Sequence, residues 1–464
     1  MARRETEFAC QACGHVALAW TGRCPGCGEW NSLVEAIRSE PSARRRGAGP
    51  SRHRGRAERA VPLRDVESPG HDRLATGIAE FDRVLGGGLV PGSLVLLGGS
   101  PGIGKSTLTG MALGNLVAAR RRVLYVSGEE STAQVRLRAE RLGERALAVP
   151  ALAETSVEAL LAALESERPH ACVIDSVQTL HSEGMTGAPG SVGQVREAAG
   201  AIMELAKRLD IAVVLVGHVT KDGAVAGPRV LEHLVDCVLL FEGERERSFR
   251  TLRALKNRFG ATSEVGVFEM RSGGLVEVAD PSARFVSEAS DAPGSCVLSA
   301  MEGTRPLLVE VQALVAPTEI VPPRRVVTGI DRNRLAMVLA VLARHGGATS
   351  LASADVFVNI AGGVRVEEPG ADLAVALALI SAQRGEPLEG GGGKPLACFG
   401  ELGLTGELRF VAHPERRVAE ALKFGLGPVH GPEAGEPLEG LVSASTLRAA
   451  LAPSFGARKI RRAA

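Results

Sequence analysis

The feature that most constrains this chain is a glycine-rich segment, Gly99-Ser100-Pro101-Gly102-Ile103-Gly104-Lys105-Ser106, which is followed by Thr107. It fits the pattern G-x-x-x-x-G-K-[ST], in which backbone N–H groups of the turn converge on phosphate oxygens. The apolar run at 93–97 predicts a buried strand before the turn, and residues 108–119 predict a helix after it. We therefore expect residues 99–107 to bind ATP, with Lys105 reaching the β/γ-phosphates and the Ser106 hydroxyl ligating Mg²⁺. The alternative is a chance glycine-rich turn.

Composition places few further limits on the chain. Its 464 residues allow two to four domains. Because 54 Lys and Arg residues balance 53 Asp and Glu residues, contact with a polyanion must come from local patches. With only 3% aromatic residues, there is little scope for stacking on bases. The sequence has neither a signal peptide nor a long apolar run, and this predicts a cytoplasmic protein without membrane contact.

Four cysteines near the N-terminus have the spacing of a metal site. Cys10, Cys13, Cys24 and Cys27 form C-x₂-C-x₁₀-C-x₂-C. Each C-x₂-C turn can direct two thiolates at one ion, and four thiolates complete a closed tetrahedral shell. We therefore predict a structural Zn²⁺ ribbon over residues 1–37. Disulfides and a redox C-x-x-C are the alternatives.

A basic segment follows the ribbon, and an alternating pattern follows that segment. Residues 38–61 are rich in Arg, Ser, Gly, Pro and Ala, which predicts a flexible linker; its charges either touch nucleic acid or are only solvated. Residues 62–285 alternate apolar strands with helical patterns, which predicts an α/β domain with a mostly parallel sheet. Besides the strand before the turn, the expected strands are 123–126, 171–174, 211–216, 235–241, 250–255 and 265–270. The expected helices are 108–119, 132–142, 157–165 and 193–209.

Polar residues stand at the ends of three of these strands, where open α/β sheets bind ligands. Asp175 ends a buried strand in the manner of a Walker B carboxylate that holds Mg²⁺ through water; the alternative is a turn cap. Glu129 and Glu130 end another strand, and either could act on the attacking water or simply charge a helix N-terminus. His218 follows a third strand and either senses the γ-phosphate or lies solvated in a loop.

Two further segments connect these motifs to a known family. The run from Gly77 to Ser93, GIAEFDRVLGGGLVPGS, resembles RecA-type ATPases, and Lys256-Asn257-Arg258-Phe259-Gly260 follows later in the domain. With the four cysteines, the whole chain resembles the RadA (Sms) family of bacterial DNA repair proteins. The resemblance implies a zinc module, a RecA-like ATPase core and a C-terminal α+β domain shaped like that of Lon protease, over residues 286–464. It also implies a homo-hexamer that acts on single-stranded and branched DNA beside a recombinase of the RecA type.

Lys256 and Arg258 stand two apart, so on a strand they would share one side. The resemblance implies that they reach the nucleotide of a neighbouring subunit. An exposed basic hairpin is the alternative.

The C-terminal region lacks the Ser–Lys dyad of Lon. Gly370 stands where the serine would fall and Glu415 stands near the place of the lysine, so we expect no peptidase activity. Basic residues could instead contact DNA phosphates or merely be solvated. These residues are Arg324, Arg325, Arg332, Arg334, Arg344 and Lys394.

The favoured function is therefore a DNA-dependent ATPase of homologous recombination and repair, which moves branches of recombination intermediates. A KaiC-like switch, in which ATP governs protein assembly without moving DNA, is a second class. An ATP-dependent protease is a third class, and the missing dyad argues against it. Glu129 or Glu130 would act on water, and Lys256 with Arg258 would supply charge in trans.

Overall fold

The structure, a computed structural model, describes residues 6–10, 15–17, 19–26, 28, 30, 33–37, 73–185, 187–218, 230–243 and 249–455. The chain divides into two compact units. The first is Met1–Phe241 with Ala254–Ala261 and Ser272–Leu275. The second is Glu242–Arg253, Thr262–Arg271 and Val276–Ala464. The expected boundary after residue 285 stays a prediction.

At the N-terminus the described residues form a small antiparallel sheet. Its strands are β1 (Thr6–Cys10), β2 (Val16–Ala17) and β3 (Leu33–Ile37), in the order β2-β1-β3. Cys10, Cys24 and Leu33 are buried together beneath it. So small an apolar cluster is far below what a stable core needs, which agrees with folding energy supplied by metal.

The first unit is built on parallel strands in the order β9-β4-β8-β7-β5-β6. Their carboxyl ends meet at one edge of the sheet, where ligands of such sheets bind. Strands β4, β5 and β7 are buried along their whole length, as their near-continuous apolar sequences require. The strands are β4 (Leu94–Gly99), β5 (Val123–Ser127), β6 (Ala151–Ala153), β7 (Ala171–Asp175), β8 (Ala212–His218) and β9 (Cys237–Glu242).

The helices of this unit start and stop at recognisable signals. Helix α3 begins with a capping box between Ser131 and Gln134, and α1 ends at Gly86, whose φ of 85° suits glycine. The helices are α1 (Ala79–Leu85), α2 (Lys105–Ala118), α3 (Thr132–Leu142), α4 (Glu144–Leu147), α5 (Val157–Glu167), α6 (Val192–Leu209) and α7 (Val230–Leu234).

The predicted α/β class, with its mostly parallel sheet, is confirmed. Each predicted strand and helix of the alternating region is present, and most ends differ by no more than three residues. The sequence pattern missed α1, α4, α7 and β6, and also a strand at Gly274–Glu277 and a helix at Pro281–Val286; all of these are three to seven residues long. Elements that short do not complete enough periods to be distinguished from loops.

Three strands follow β9 in the chain: β10 (Phe249–Asn257), β11 (Val265–Arg271) and β12 (Gly274–Glu277). Within the second unit, β10 and β11 pair antiparallel, with Arg250 opposite Phe268.

The main sheet of the second unit is mixed, in the order β15-β16-β14-β13-β17-β20-β21, and β18 pairs with β19 separately. The central pairs β13–β14 and β14–β16 are antiparallel. The strands are β13 (Ser295–Glu302), β14 (Arg305–Pro317), β15 (Arg325–Thr328), β16 (Ala354–Ile360), β17 (Ala397–Cys398), β18 (Glu401–Leu402), β19 (Leu408–Arg409), β20 (Val429–Gly431) and β21 (Leu441–Ser443).

The core of this unit is organised by α10, which is buried continuously over residues 372–381 and packs on β13 and β14. Its alanines allow the close approach that such packing needs. The helices are α8 (Pro281–Val286), α9 (Arg332–His345), α10 (Asp372–Arg384), α11 (Pro414–Lys423) and α12 (Leu447–Ser454). None of the helices in the described ranges combines the length and apolar character needed to cross a lipid bilayer.

Candidate active site

The glycine-rich turn joins β4 to α2 and has the backbone shape of an anion cradle. Gly102 and Gly104 have φ values of 76° and 116°, which L side chains rarely adopt. A Cβ on Gly99 would lie 2.6 Å from the carbonyl oxygen of Phe241, so this position accepts only glycine. Helix α2 begins at Lys105, and its first N–H groups face the turn. The turn can therefore hold phosphate oxygens with backbone donors.

Lys105 is buried at the base of this turn, with 4% of its surface exposed. Its Nζ donates to the carbonyl oxygens of Gly99, at 2.7 Å, and Ser100, at 3.1 Å. Burial lowers the pKa of Lys105, and the nearby Asp175 and Glu129 carboxylates oppose that effect. The amine is held by neutral carbonyls, which a phosphate can replace as partners.

Asp175 ends β7, and its carboxylate lies against the start of α2. The Ser106 hydroxyl donates to Asp175 Oδ2 at 2.5 Å. Residues 106 and 175 are far apart in the sequence, and the fold brings their oxygen atoms into direct contact at the sheet edge. A serine hydroxyl beside a carboxylate is an all-oxygen donor set, which suits Mg²⁺.

The two candidate glutamates have different surroundings. Glu129 Oε1 accepts a hydrogen bond from Ser176 Oγ at 2.5 Å, next to the Walker B-like strand end. Glu130 Oε2 lies 2.6 Å from Arg138 Nη1, on α3. Of the two, Glu129 therefore lies on the side of Asp175 and Lys105.

Sequence reasoning missed Tyr125, Arg138 and Ser176. The Tyr125 hydroxyl donates to Asp175 Oδ2 at 2.6 Å and accepts from Arg138 Nη2 at the same distance. Burial and the Asp175 charge raise the pKa of Tyr125, so it keeps its proton. A signal was present, because Tyr125 is the only tyrosine of the chain and stands in an apolar strand two residues before Ser127. A buried phenol in such a strand needs a polar partner.

A cavity of about 380 Å³ lies beside the cradle. Ser106 and Tyr125 line it, together with residues of α3 such as Val135 and Leu142. Its lining is mainly apolar, so it offers space next to the phosphate turn for the less polar part of a nucleotide.

His218 ends β8, and its backbone is in register with Gly99 on β4. This places residue 218 at the same sheet edge as the cradle. Its side chain lies outside what the structure describes.

Lys256 and Arg258 do not share a strand, which corrects one expectation. Strand β10 ends at Asn257, so Arg258 lies in the turn beyond the strand. The side-chain amide of Asn257 donates to the carbonyl oxygens of Val84 and Leu85. Lys256 Nζ donates to the carbonyl oxygens of Glu232 and Val235, near the end of α7.

Arg258 is bound less completely than Lys256. Its Nη1 pairs with Asp236 at 2.9 Å, and 52% of its side chain remains exposed. The expected reach of these two residues to a neighbouring subunit stays a prediction.

Two of the four predicted zinc ligands can be described. Cys10 and Cys24 are buried, and Cys24 Sγ accepts a hydrogen bond from the N–H of Gly26 at 3.3 Å. Such a donor stabilises a thiolate, which is the form that binds zinc. Cys13 and Cys27 lie outside the described residues. The described part of the chain contains no group of three or more His, Cys, Asp or Glu side chains able to hold a metal ion.

In the second unit, the region compared with the Lon dyad is filled by an ion pair. Arg417 is 1% exposed and binds Glu368 through both terminal nitrogens, at 2.9 and 2.5 Å. Arg417 also donates to the carbonyl oxygens of Ser299 and Ala412, and its guanidinium lies over the Phe399 ring. A Cβ on Gly370 would lie 3.3 Å from this guanidinium. Glu415 is exposed in the first turn of α11, so Arg417 and not Glu415 lies beside Gly370.

Several of the predicted DNA-contacting residues are engaged internally. Arg334 pairs with the buried Asp372 at 2.6 Å, and Arg325 donates to carbonyl oxygens that include that of Leu351. Lys394 Nζ donates to the carbonyl oxygen of Phe424. Of the set, Arg324, Arg332, Arg344 and Lys394 are exposed.

Two family profiles and several almost full-length relatives match this chain. A family profile described as an AAA domain matches residues 58–224, and one described as a rubredoxin metal binding domain matches residues 8–35. The DNA repair protein RadA of Listeria monocytogenes is 49% identical over 437 residues, 94% of this chain and 93% of that protein. RadA of Bacillus subtilis is 48% identical over 427 residues, 92% of each chain. RadA of Brucella abortus is 50% identical over 437 residues, 92% of this chain and 91% of that protein.

This chain belongs to the RadA family of DNA repair proteins. Its AAA domain contains the cradle, Glu129 and Asp175, and makes the chain an ATPase that uses ATP and Mg²⁺. The N-terminal match contains all four cysteines of the ribbon, which binds Zn²⁺. The predictions of family, ATPase domain and zinc ribbon are thus confirmed.

Proposed function

We propose that this member of the RadA family is a DNA-dependent ATPase that moves branches of recombination intermediates on single-stranded DNA. The observation that carries the ATPase chemistry is the contact between Ser106 and Asp175 at the base of the cradle. The DNA part rests on the names of relatives that match this chain almost end to end.

The residues divide the chemistry among them. The turn at 99–107 binds the phosphates through backbone N–H groups, and Lys105 exchanges its two carbonyl partners for phosphate oxygens. Ser106 and Asp175 hold Mg²⁺, which when bound supplies positive charge to the phosphate oxygens. Glu129, held by Ser176, orients the attacking water and accepts its proton.

We assign the charge supplied in trans to Arg258 rather than to Lys256. Half of the Arg258 side chain is exposed, whereas the Lys256 ammonium is used by two carbonyl groups of its own subunit. A mixture of Arg258→Ala and Lys105→Ala chains should recover part of the turnover, because one subunit's intact cradle then meets another's intact arginine. No recovery in mixed rings of confirmed mass would tell against this assignment.

The test of the function is turnover of ATP with and without single-stranded DNA, followed by branch extension on a three-stranded DNA substrate. The motor predicts that DNA raises turnover and that branches extend only with hydrolysable ATP. Addition of a recombinase of the RecA type tests the proposed partner, and electron microscopy with ATP and DNA tests the hexamer. A KaiC-like switch predicts assembly controlled by ATP with turnover unchanged by DNA, and that outcome would overturn the motor.

A further inference from the structure

Asp175 is held by more than the serine of the cradle. Two hydroxyl groups converge on its Oδ2 atom, that of Ser106 at 2.5 Å and that of Tyr125 at 2.6 Å. Asp175 is 8% exposed and Tyr125 is 3% exposed, so both groups lie largely out of water. A second donor on the same oxygen restricts rotation of the carboxylate about its last torsion more than one donor does.

The direction of the hydrogen bonds is determined by the chemistry of the side chains. Arg138 Nη2 lies 2.6 Å from the Tyr125 oxygen, and a guanidinium can only donate. The Tyr125 oxygen therefore accepts from Arg138, and its single proton is donated to Asp175, whose carboxylate can only accept. The chain of donors runs from Arg138 through Tyr125 to Asp175.

The outer end of this chain is anchored by Glu130. Its Oε2 lies 2.6 Å from Arg138 Nη1, and the Arg138 side chain is only 17% exposed. The Arg138 guanidinium also lies over the Tyr125 ring, 5.4 Å from its centroid. Both terminal nitrogens of Arg138 are thus assigned, one to Glu130 and the other to Tyr125.

We propose that Tyr125, Arg138 and Glu130 are positioning residues that orient the Asp175 carboxylate for Mg²⁺ in the ATPase reaction. Tyr125 makes the contact with Asp175, Arg138 orients the phenol, and Glu130 orients Arg138. Of the two acids at the end of β5, only Glu129 is then left for the attacking water. This inference rests on the proposed assignment of Asp175 to the metal.

The experiment measures how much Mg²⁺ improves the affinity of the full-length protein for a fluorescent ADP, as the ratio of dissociation constants in EDTA and in Mg²⁺. Tyr125→Phe removes one hydroxyl and keeps the buried ring. Because partners of metal-holding groups typically contribute 10- to 100-fold to metal affinity, the ratio should fall about tenfold. Affinity in EDTA should stay within about twofold of wild type, since the cradle itself is intact.

We call the chain of donors from Arg138 through Tyr125 to Asp175 the relay. Substitutions of Arg138, at its outer end, provide a second test that leaves the residues of β5 unchanged. Arg138→Ala should lower the same ratio several-fold, and Arg138→Lys should restore part of it, because one donor returns. Arg141→Ala removes an equal charge from an exposed position of α3 and should leave the ratio unchanged.

Asp175→Asn separates failure of the relay from failure of the site. If Asp175→Asn abolishes the Mg²⁺-dependent gain while Tyr125→Phe and Arg138→Ala both keep it, the relay is overturned and the ATPase site stands. If Asp175→Asn also keeps the gain, the assignment of Asp175 to the metal is overturned, and the relay with it. If Tyr125→Phe lowers the affinity for the fluorescent ADP equally in EDTA and in Mg²⁺, Tyr125 has only a packing role. That outcome would also overturn the proposal.

Discussion

Each unit of this protein buries a basic side chain beside carboxylates, yet the two basic groups are bound in different ways. In the first unit, the Lys105 ammonium is held by two carbonyl oxygens, with Asp175 and Glu129 nearby. In the second, Arg417 is paired with Glu368 through both terminal nitrogens and with two carbonyl oxygens besides. A charge held by neutral groups can move to an anionic ligand, whereas a charge locked in a bidentate pair cannot. Lys105 is therefore suited to binding a charged ligand, and Arg417 is suited to stabilising the fold.

The largest effect should come from breaking the pair in the second unit. Arg417→Ala leaves the Glu368 carboxylate without its partner, and breaking a buried pair in this way typically costs about 3–5 kcal/mol. We expect a clear fall in the unfolding temperature of this unit, measured by calorimetry, with faster amide exchange in α11. Arg416→Ala, at the neighbouring exposed position, is the matched control and should change stability by less than about 0.5 kcal/mol. Equal stability of the two variants would contradict the comparison.

The next effect should be on catalysis in the first unit. Lys105→Ala removes a cation that stabilises charge on the transferred phosphate, and losses of this kind reach about 10²- to 10³-fold in kcat. Stability should change less than activity does, because the Lys105 ammonium bonds to carbonyl oxygens of its own turn and not to a bidentate partner. Steady-state ATP hydrolysis and thermal unfolding, measured on the same sample, check both parts. Turnover within a few-fold of wild type would rule out this site.

A smaller effect concerns pH and the second unit. Burial raises the pKa of Glu302 to about 7; the Arg253 charge opposes this, while Glu368, Glu367 and Glu242 reinforce it. Because the folded state binds this proton more tightly than the unfolded state does, the contribution of Glu302 is fully present below about pH 4.5. It is lost as the pH rises through about 7. The resulting loss in the free energy of unfolding should be at most about 3–4 kcal/mol.

Glu302→Gln should remove that slope and raise stability at pH 8 relative to wild type. Glu439→Gln, at an exposed position of the same unit, is the control. Unfolding by urea across pH 4.5–8 measures the difference between the two variants. Parallel pH profiles for wild type and Glu302→Gln would show that Glu302 titrates as an ordinary surface carboxylate.

The sequence was most informative where a motif is continuous. The cradle at 99–107 and the strand ending at Asp175 could both be predicted, because each combines a buried run with polar residues at its end. The roles of Glu129 and Glu130 could not be separated, since both follow the same strand and differ only in which side chain each one meets. Arg138, eight residues later, decides that difference, and no local pattern indicates its reach.

In the second unit, too, the sequence did not indicate which side chains meet. The absence of a serine at Gly370 could be read directly, but alignment of the pattern placed Glu415 near the lysine position. The residue whose charge lies beside Gly370 is Arg417, two positions further along α11. The apolar positions Pro414, Val418 and Ala421 mark the inward face of α11, and Arg417 lies on that face. The sequence of the helix does not contain the identity of the carboxylate that the arginine meets there. The end of β10 at Asn257 could not be predicted either. There the Asn257 side chain bonds to carbonyl oxygens of α1, which is distant in the sequence.

Helix α3 has a capping box at its start but no fully buried residue along its length. Few apolar contacts resist its detachment, so its amides should exchange with solvent through local openings well below the free energy of global unfolding. Each such opening would carry Arg138 away from Tyr125. The rate at which α3 amides take up deuterium, compared with and without nucleotide, therefore reports how often the carboxylate that we propose to hold the metal loses this support.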